Sequence, residues 1–348
     1  MVKVGINGFG RIGKAIFRSN LNKNFFKVVA INDINPDVGN LVYQLNYDTL
    51  YDTLSEKFKD EKDTIYNDNY SIKIFKNPHI DEVDWKSCEV DIVIDASGIL
   101  DNVLRAKSAI EKQNLKKVVV THSPNEVDFT MVLGANENQL DLEKHDVISS
   151  SICDATALGP VIKLIENNFG IKSGYITTLH PWLNYQTLQD GPSSSWSVPG
   201  EIYHHYAMGR SAIGNMIPKP TSAMGATCKV VDNISEDIIG SFSYRTPTAI
   251  VGSADITLNL SRSTTKDDVI KIFENVENTQ VIDVIHNNFE PLVSLDFKKS
   301  EFSAIVDHRW TDIIAGDVLK IVLWYDNEWG YSTRVVDQVD FIAKKLGL

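Results

Sequence analysis

The chain opens on two apolar runs with a helical pattern between them. "VKVGI" and "KVVAIN" read as strands, whereas "IGKAIFRSNL" sets Ile12, Ile16 and Phe17 on one helical face. Farther on, "VDIVIDAS", "KKVVVTH", "FTMVLG" and "DVISSS" repeat the strand pattern, with "NVLRAKSAIEK" as a helix between the first two. Strands that are apolar along their whole length and separated by helices belong to a parallel sheet covered on both faces. After Cys153 the texture changes. "LGPVIKLIENNFG" reads as a helix ending at Gly170. The longer alternating segments "SGYITTLH", "IIGSFSYRTPT", "IVGSADITLNLS" and "DVLKIVLWYD" predict a mostly antiparallel sheet, with one helix near "KDDVIKIFENVE". From Pro181 to Pro220 the chain is irregular, rich in Ser, Gly, Pro and aromatics, and long enough to predict a functional loop. The closing "STRVVDQVDFIAKKL" is an amphipathic helix suited to dock back on the first domain. The expected organisation is a doubly wound α/β domain over residues 1–152 and 327–348, and an α+β domain over 153–326.

Composition narrows the class. With 43% hydrophobic and 23% charged residues, the 348-residue chain can bury two ordinary cores. A net charge of −12 disfavours non-specific nucleic-acid binding. The start "MVKVGING" lacks the pattern of a secretory signal, and no apolar run is long enough to span a bilayer. Cys88, Cys153 and Cys228 form no CxxC pair, so neither a disulfide framework nor a zinc site is expected, and the cytoplasm is the expected compartment. His204 and His205 lack a Cys, Asp or Glu at ligand spacing, so no metal is expected there either.

Chemistry first appears at "VGINGFGRIGK", where Gly8, Gly10 and Gly13 make G-x-G-x-x-G after a strand and at the opening of a helix. The first glycine permits the tight turn, the second lets the backbone approach a pyrophosphate, and the third lets helix and strand pack closely. The N–H groups at the helix start face the phosphates. Asp33, twenty residues after Gly13 at the end of "VVAIND", is suited to accept from ribose hydroxyls and to repel a 2′-phosphate, which favours NAD over NADP. The first domain is thus of Rossmann type.

Cys153 falls in "SSICDATALGP", where a strand hands over to a helix. A helix N-terminus lowers a thiol pKa, and His180, ending "GYITTLH", could hold the proton of an activated thiolate. Pro160 is awkward for a helix beginning this early. Spacing alone leaves open a buried structural cysteine and a surface histidine.

The segments "VKVGINGFGRIGK", "NNFGI", "TTLH", "DGPS", "RTPTA" and above all "WYDNEWGYSTRVVD" resemble the phosphorylating glyceraldehyde-3-phosphate dehydrogenase family, from Val2 to Asp337. The resemblance implies a cytoplasmic, glycolytic, homotetrameric NAD enzyme. Cys153 would be its nucleophile and His180 its base; an aldehyde would pass through a thiohemiacetal to a thioester. Asn7, Gly8, Gly10, Arg11, Ile12, Asp33, Ser97, Gly98 and Ser123 would contact the cofactor. Asn327 would hold the nicotinamide carboxamide, and Tyr331 would line that pocket. Arg210, Thr221 and Arg245 would serve an anionic substrate and inorganic phosphate.

The active-site run departs from the family's Ser-Cys-Thr-Thr-Asn-Cys: here Ile152 precedes Cys153 and Asp154 follows it. In the family the flanking serine and threonine help bind inorganic phosphate. Leu183 and Tyr185 stand where two threonines serve the substrate's own phosphate. Each lost hydrogen bond to a charged group is worth about 1.5–3 kcal/mol. Asp154 has two open orientations: capping the helix, or facing the pocket, where it would repel phosphate and raise the Cys153 pKa. The loop from Pro181 to Gly209 is longer than the family's, and Trp196, Tyr203 and Tyr206 are expected to pack a subunit interface. Beside the leading reading stand two others. One is a related NAD-dependent enzyme with a different aldehyde or hydrolytic acyl release; the other is a non-catalytic dinucleotide-binding scaffold, against which the pairing of Cys153 with His180 speaks.

Overall fold

A computed structural model describes residues 1–193 and 205–348. The chain divides into two compact units: Met1–Met131, Asn138–Ser151 and Ser332–Leu348 form one, Val132–Glu137 and Ile152–Tyr331 the other.

The first unit is built on a nine-stranded sheet, in the order Phe129–Thr130, Val147–Ser149, Lys117–Val120, Ile92–Asp95, Lys3–Asn7, Lys27–Asn32, Ser71–Phe75, Thr64–Tyr66, Lys59–Glu61. The first seven are parallel, and Thr64–Tyr66 pairs antiparallel with both of its neighbours. Ile92–Asp95 and Lys117–Val120 are buried on every residue, as strands with helices on both faces must be. The strand order reverses beside Lys3–Asn7, so the carboxyl ends of Lys3–Asn7, Lys27–Asn32 and Ile92–Asp95 flank a topological switch point. The C-terminal helix Trp329–Leu346 docks on this unit from Ser332 onward. Its Thr333 hydroxyl meets that of Ser19 at 3.0 Å, and Asp337 pairs with Lys23 at 3.0 Å.

The second unit carries the alternating strands. Its sheet runs Ile217–Lys219, Ile239–Thr246, Ile171–Pro181, Gly252–Leu260, Val318–Tyr325, Ala304–Asp307, Ile285–Asn288, with Asp312–Ile314 paired to Val318–Tyr325. Two neighbouring pairs are parallel, Ile171–Pro181 with Ile239–Thr246 and Ile285–Asn288 with Ala304–Asp307; the remaining pairings are antiparallel. Ile176, Ile256, Ile321 and Val306 line one face and bury against Leu158, Val161, Ile162 and Ile165 of helix Cys153–Phe169.

That helix runs through Pro160, the residue that made so early a helix start awkward in the sequence. The ring deprives the Thr156 carbonyl of its usual partner. Its packing against Gly134, where an added Cβ would lie 3.3 Å from Pro160 Cγ, and the apolar burial around it hold the helix intact. The irregular stretch after Pro181 contains a short 3-10 turn at Tyr206–Gly209 and the strand Ile217–Lys219. Trp196, Tyr203 and His204 lie outside the described residues, and Tyr206 is exposed.

Candidate active site

Helix Cys153–Phe169 begins after an extended Ile152, which follows Ser151, a buried non-glycine residue at φ +61° that turns the chain out of the strand Val147–Ser149. This left-handed backbone sets Cys153 in the first helical turn. The sulfur lies 3.6 Å from His180 Nε2, within reach for proton exchange. His180 sits at the penultimate position of its strand, and parallel register places it directly beside Arg245. Two sequence-predicted residues, far apart in the chain, thus meet through one strand pairing.

The electrostatics differ from the expected thiolate–imidazolium pair. Burial, then the neighbouring Asp154 carboxylate, push the Cys153 thiol well above its ordinary range, although the Asp154 backbone N–H points at the sulfur and opposes the rise. Burial lowers His180 to about 4, with Asp154 raising it and Arg245 lowering it. The resting pair is therefore a neutral thiol and a neutral imidazole. The helix N-terminus is too weak to overcome burial and the carboxylate next to the sulfur.

Arg245 also bears on the histidine's tautomer. His180 Nδ1 lies 2.8 Å from the Pro181 carbonyl and close to Arg245 Nη1, which itself donates to that carbonyl at 3.1 Å. Donation from Nδ1 to Pro181 leaves the Nε2 lone pair facing the sulfur, as a general base requires. A guanidinium at Nδ1 favours the opposite tautomer, because it can only donate. Arg245 Nη2 donates to the Tyr185 hydroxyl at 3.2 Å, so Tyr185 seats the guanidinium.

Asp154 does not cap the helix. It is buried, and its Oδ1 accepts from the Tyr325 hydroxyl at 2.5 Å. Ligand atoms of Cys153, Asp154 and His180 lie within 4.8 Å of one another. Such a trio could hold a divalent cation, though the positive charge of Arg245 and Lys219 beside it opposes this. Sequence reasoning missed Lys219 and Tyr325. Lys219 is half-buried, and its charge is felt at His180; its pairing strand, one removed from that of His180, was hidden in an irregular segment.

Arg210 and Thr221 are not joined to this cluster by any hydrogen bond among the described residues. Arg210 Nε pairs with the Asp190 carboxylate at 2.6 Å on the surface, and Thr221 Oγ1 accepts from the Ala223 N–H at 3.2 Å.

In the first unit, helix Arg11–Lys23 starts at Gly10 with no side-chain cap, leaving its first N–H groups available. A Cβ on Gly10 would meet nothing within 4 Å, whereas one on Gly13 would lie 2.2 Å from the Gly8 carbonyl oxygen. This is a packed turn with an open cradle above it, and it fits a pyrophosphate. Asp33 is aimed by two backbone N–H groups, Phe9 to Oδ2 at 2.7 Å and Asn35 to Oδ1 at 2.8 Å. Asn7 donates to Asp95 Oδ1 at 2.9 Å, and Ser97 Oγ accepts from Asn102 at 3.0 Å. Arg11 pairs with Asp48 at 2.7 Å, Ile12 is half-buried, Gly98 has φ +70°, and Ser123 is half-buried after strand Lys117–Val120. In the second unit Tyr331 is buried, and Asn327 Oδ1 is buried without a partner among the described residues. An orphaned amide oxygen of this kind suits a carboxamide N–H donor.

A glycine-rich dinucleotide-binding turn in the first unit and a cysteine–histidine pair in the second are the features of an NAD-dependent oxidoreductase. Comparison with known proteins makes the assignment specific. The pattern of the glyceraldehyde 3-phosphate dehydrogenase NAD binding domain matches residues 2–103, and that of the C-terminal domain of the same enzyme matches residues 152–327. The chain is 34% identical over 346 residues to glyceraldehyde-3-phosphate dehydrogenase 2 of Streptomyces avermitilis, covering 99% of each protein. It is 33% identical over 344 residues to glyceraldehyde-3-phosphate dehydrogenase 1 of Bacillus subtilis, again covering 99% of each. With the cytosolic enzyme of Chlamydomonas reinhardtii it shares 32% over 344 residues, 99% of this chain and 97% of that one. The chain belongs to the glyceraldehyde-3-phosphate dehydrogenase family and is an NAD-dependent oxidoreductase acting on a small molecule. Among the described residues no helix is long and apolar enough to cross a membrane.

Proposed function

We propose that this protein oxidises glyceraldehyde 3-phosphate with NAD through a thioester on Cys153. The observation that carries this reading is the 3.6 Å approach of Cys153 Sγ to His180 Nε2 at the head of a helix. As the thiol adds to the aldehyde carbon, His180 takes its proton and returns it to the forming alkoxide, and the imidazole, neutral again, then serves as base for the hydroxyl of the thiohemiacetal. Neutral at physiological pH, the imidazole is ready for that task. NAD, when bound, supplies the hydride acceptor for this oxidation. Arg245 is assigned to the substrate's anionic group. An anion drawing the guanidinium toward itself relieves its pressure on Nδ1 and favours the tautomer that leaves Nε2 basic.

For the cofactor, the cradle at Gly8, Gly10, Arg11 and Ile12 is assigned to the pyrophosphate and Asp33 to the ribose. Asn7, Ser97, Gly98 and Ser123 flank the strand ends, and Asn327 with Tyr331 is assigned to the nicotinamide. Arg210 and Thr221 keep a proposed part in anion binding only if Arg210 releases Asp190. The reading also places the protein in the cytoplasm, as the name of the Chlamydomonas relative does for that protein, and as a homotetramer.

The test is NADH formation from glyceraldehyde 3-phosphate. Cys153→Ser should abolish it and His180→Asn should slow it by about 10²–10⁴-fold. Undiminished turnover in Cys153→Ser would rule the reading out.

A further inference from the structure

Asp154 stands beside the sulfur that carries the acyl group in the reading above. We propose that Asp154 is a catalytic base that directs water onto the Cys153 thioester, so that the enzyme releases a free carboxylic acid; this rests on the thioester reading above.

Three observations carry it. First, Asp154 is buried and faces the reacting sulfur rather than the backbone of its own helix. Tyr325 fixes Oδ1 at 2.5 Å, and Oδ2 has no hydrogen-bond partner among the described residues. Second, the carboxylate and the sulfur are close together. Asp154, Cys153 and His180 present atoms within 4.8 Å of one another. A water hydrogen-bonded to the carboxylate at about 2.8 Å can therefore reach an acyl carbon bonded to the sulfur. Third, the ground beside the sulfur suits water better than phosphate. Ile152 and Asp154 flank the cysteine with an apolar side chain and an anion, neither of which donates to a dianion. Arg210 is engaged by Asp190, and Arg245 is engaged by Pro181 and Tyr185. Lys219 donates to the Pro220 carbonyl. Arg245 and Lys219, the cations whose charge is felt at His180, thus already have partners, while the Asp154 carboxylate repels a second anion.

The step balances without a further reactant. Water adds to the thioester carbon and gives its proton to Asp154 Oδ2. The tetrahedral intermediate then collapses with rupture of the C–S bond. The departing sulfur takes the proton that His180 Nε2 received from the thiohemiacetal hydroxyl, restoring the neutral pair. Asp154 loses its proton to solvent, and the acid leaves as a carboxylate.

The test isolates acyl release from oxidation. Cys153 is acylated with p-nitrophenyl acetate, and the nitrophenol burst and the later steady rate are followed with and without inorganic phosphate. The wild type should turn over steadily in phosphate-free buffer, with less than about a twofold change when phosphate is added. Asp154→Asn should keep the burst and lose the steady rate by about 10²-fold. Asp154→Thr, a second variant should the first fold poorly, should store an acyl-enzyme that mass spectrometry detects on Cys153. An acetyl-enzyme in the wild type that persists in buffer and is discharged by phosphate would overturn the proposal while leaving the thioester chemistry intact. So would steady hydrolysis at the wild-type rate in a folded Asp154→Asn. Absence of any burst would overturn the thioester reading itself, and this one with it.

Discussion

The Tyr325 hydroxyl donates to Asp154 Oδ1 at 2.5 Å, joining the last residue of strand Val318–Tyr325 to the second residue of helix Cys153–Phe169. Both groups are buried, so the bond holds a carboxylate beside the Cys153 sulfur at a cost to the thiolate. Removing the charge should release that cost. In Asp154→Asn, alkylation of Cys153 by iodoacetamide at about pH 8 should speed up roughly threefold to tenfold, because the nearby anion no longer disfavours the thiolate. An unchanged rate would mean that burial alone holds the thiol up.

Tyr325→Phe asks what the bond is worth to the fold. It leaves the Asp154 oxygen without its donor in a buried site, which costs about 1–3 kcal/mol. Urea unfolding monitored by tryptophan fluorescence should show that loss. A midpoint indistinguishable from wild type would indicate that water replaces the hydroxyl.

The glycine cradle separates binding from folding. Gly10→Ala should fold as wild type, since its Cβ meets nothing within 4 Å, yet bind NAD at least tenfold more weakly, because the methyl occupies the space assigned to the pyrophosphate. Gly13→Ala forces a Cβ to within 2.2 Å of the Gly8 carbonyl oxygen and should lower the unfolding midpoint. Calorimetric titration with NAD and thermal melts distinguish the two. Equal NAD affinity for Gly10→Ala and wild type would remove the pyrophosphate from this cradle.

Acid should destabilise the protein through two buried histidines. Both His180 and His308 are lowered from 6.5 to about 4, chiefly by burial. Between those values the unfolded chain binds a proton at each and the folded chain does not. Stability is therefore fully present above about pH 6.5 and falls as pH drops toward 4. His308→Gln should make this slope shallower, since one of the two proton uptakes is gone. Unfolding free energy flat across this window would show that the histidines charge freely in the folded state.

Much of this arrangement was legible beforehand, for identifiable reasons. Continuous apolarity marks Ile92–Asp95 and Lys117–Val120 as buried parallel strands, and alternation marks Val318–Tyr325, because each pattern reports how many faces a strand buries. The glycine spacing is local, so the cofactor turn could be read directly. Cys153 and His180 could be named only by resemblance, since their meeting depends on how strand and helix pack. The orientation of Asp154 could not be read at all: its partner Tyr325 lies 171 positions away, and local preference for capping pointed elsewhere. For the same reason the direction of the thiol's shift stayed open between the helix terminus, which lowers it, and an inward Asp154, which raises it; burial and that carboxylate outweigh the terminus. That the helix starts before Pro160 could not be settled locally, because local rules omit the packing around the proline.

Nucleophilic attack by Cys153 is tested most directly by rapid acid quench of enzyme mixed with NAD and glyceraldehyde 3-phosphate, followed by peptide mass spectrometry. A transient phosphoglyceryl adduct on the Cys153 peptide, absent from Cys88 and Cys228, is the expected result. NADH formation with Cys153 unmodified at every quench time, or an adduct carried by another cysteine, would contradict it.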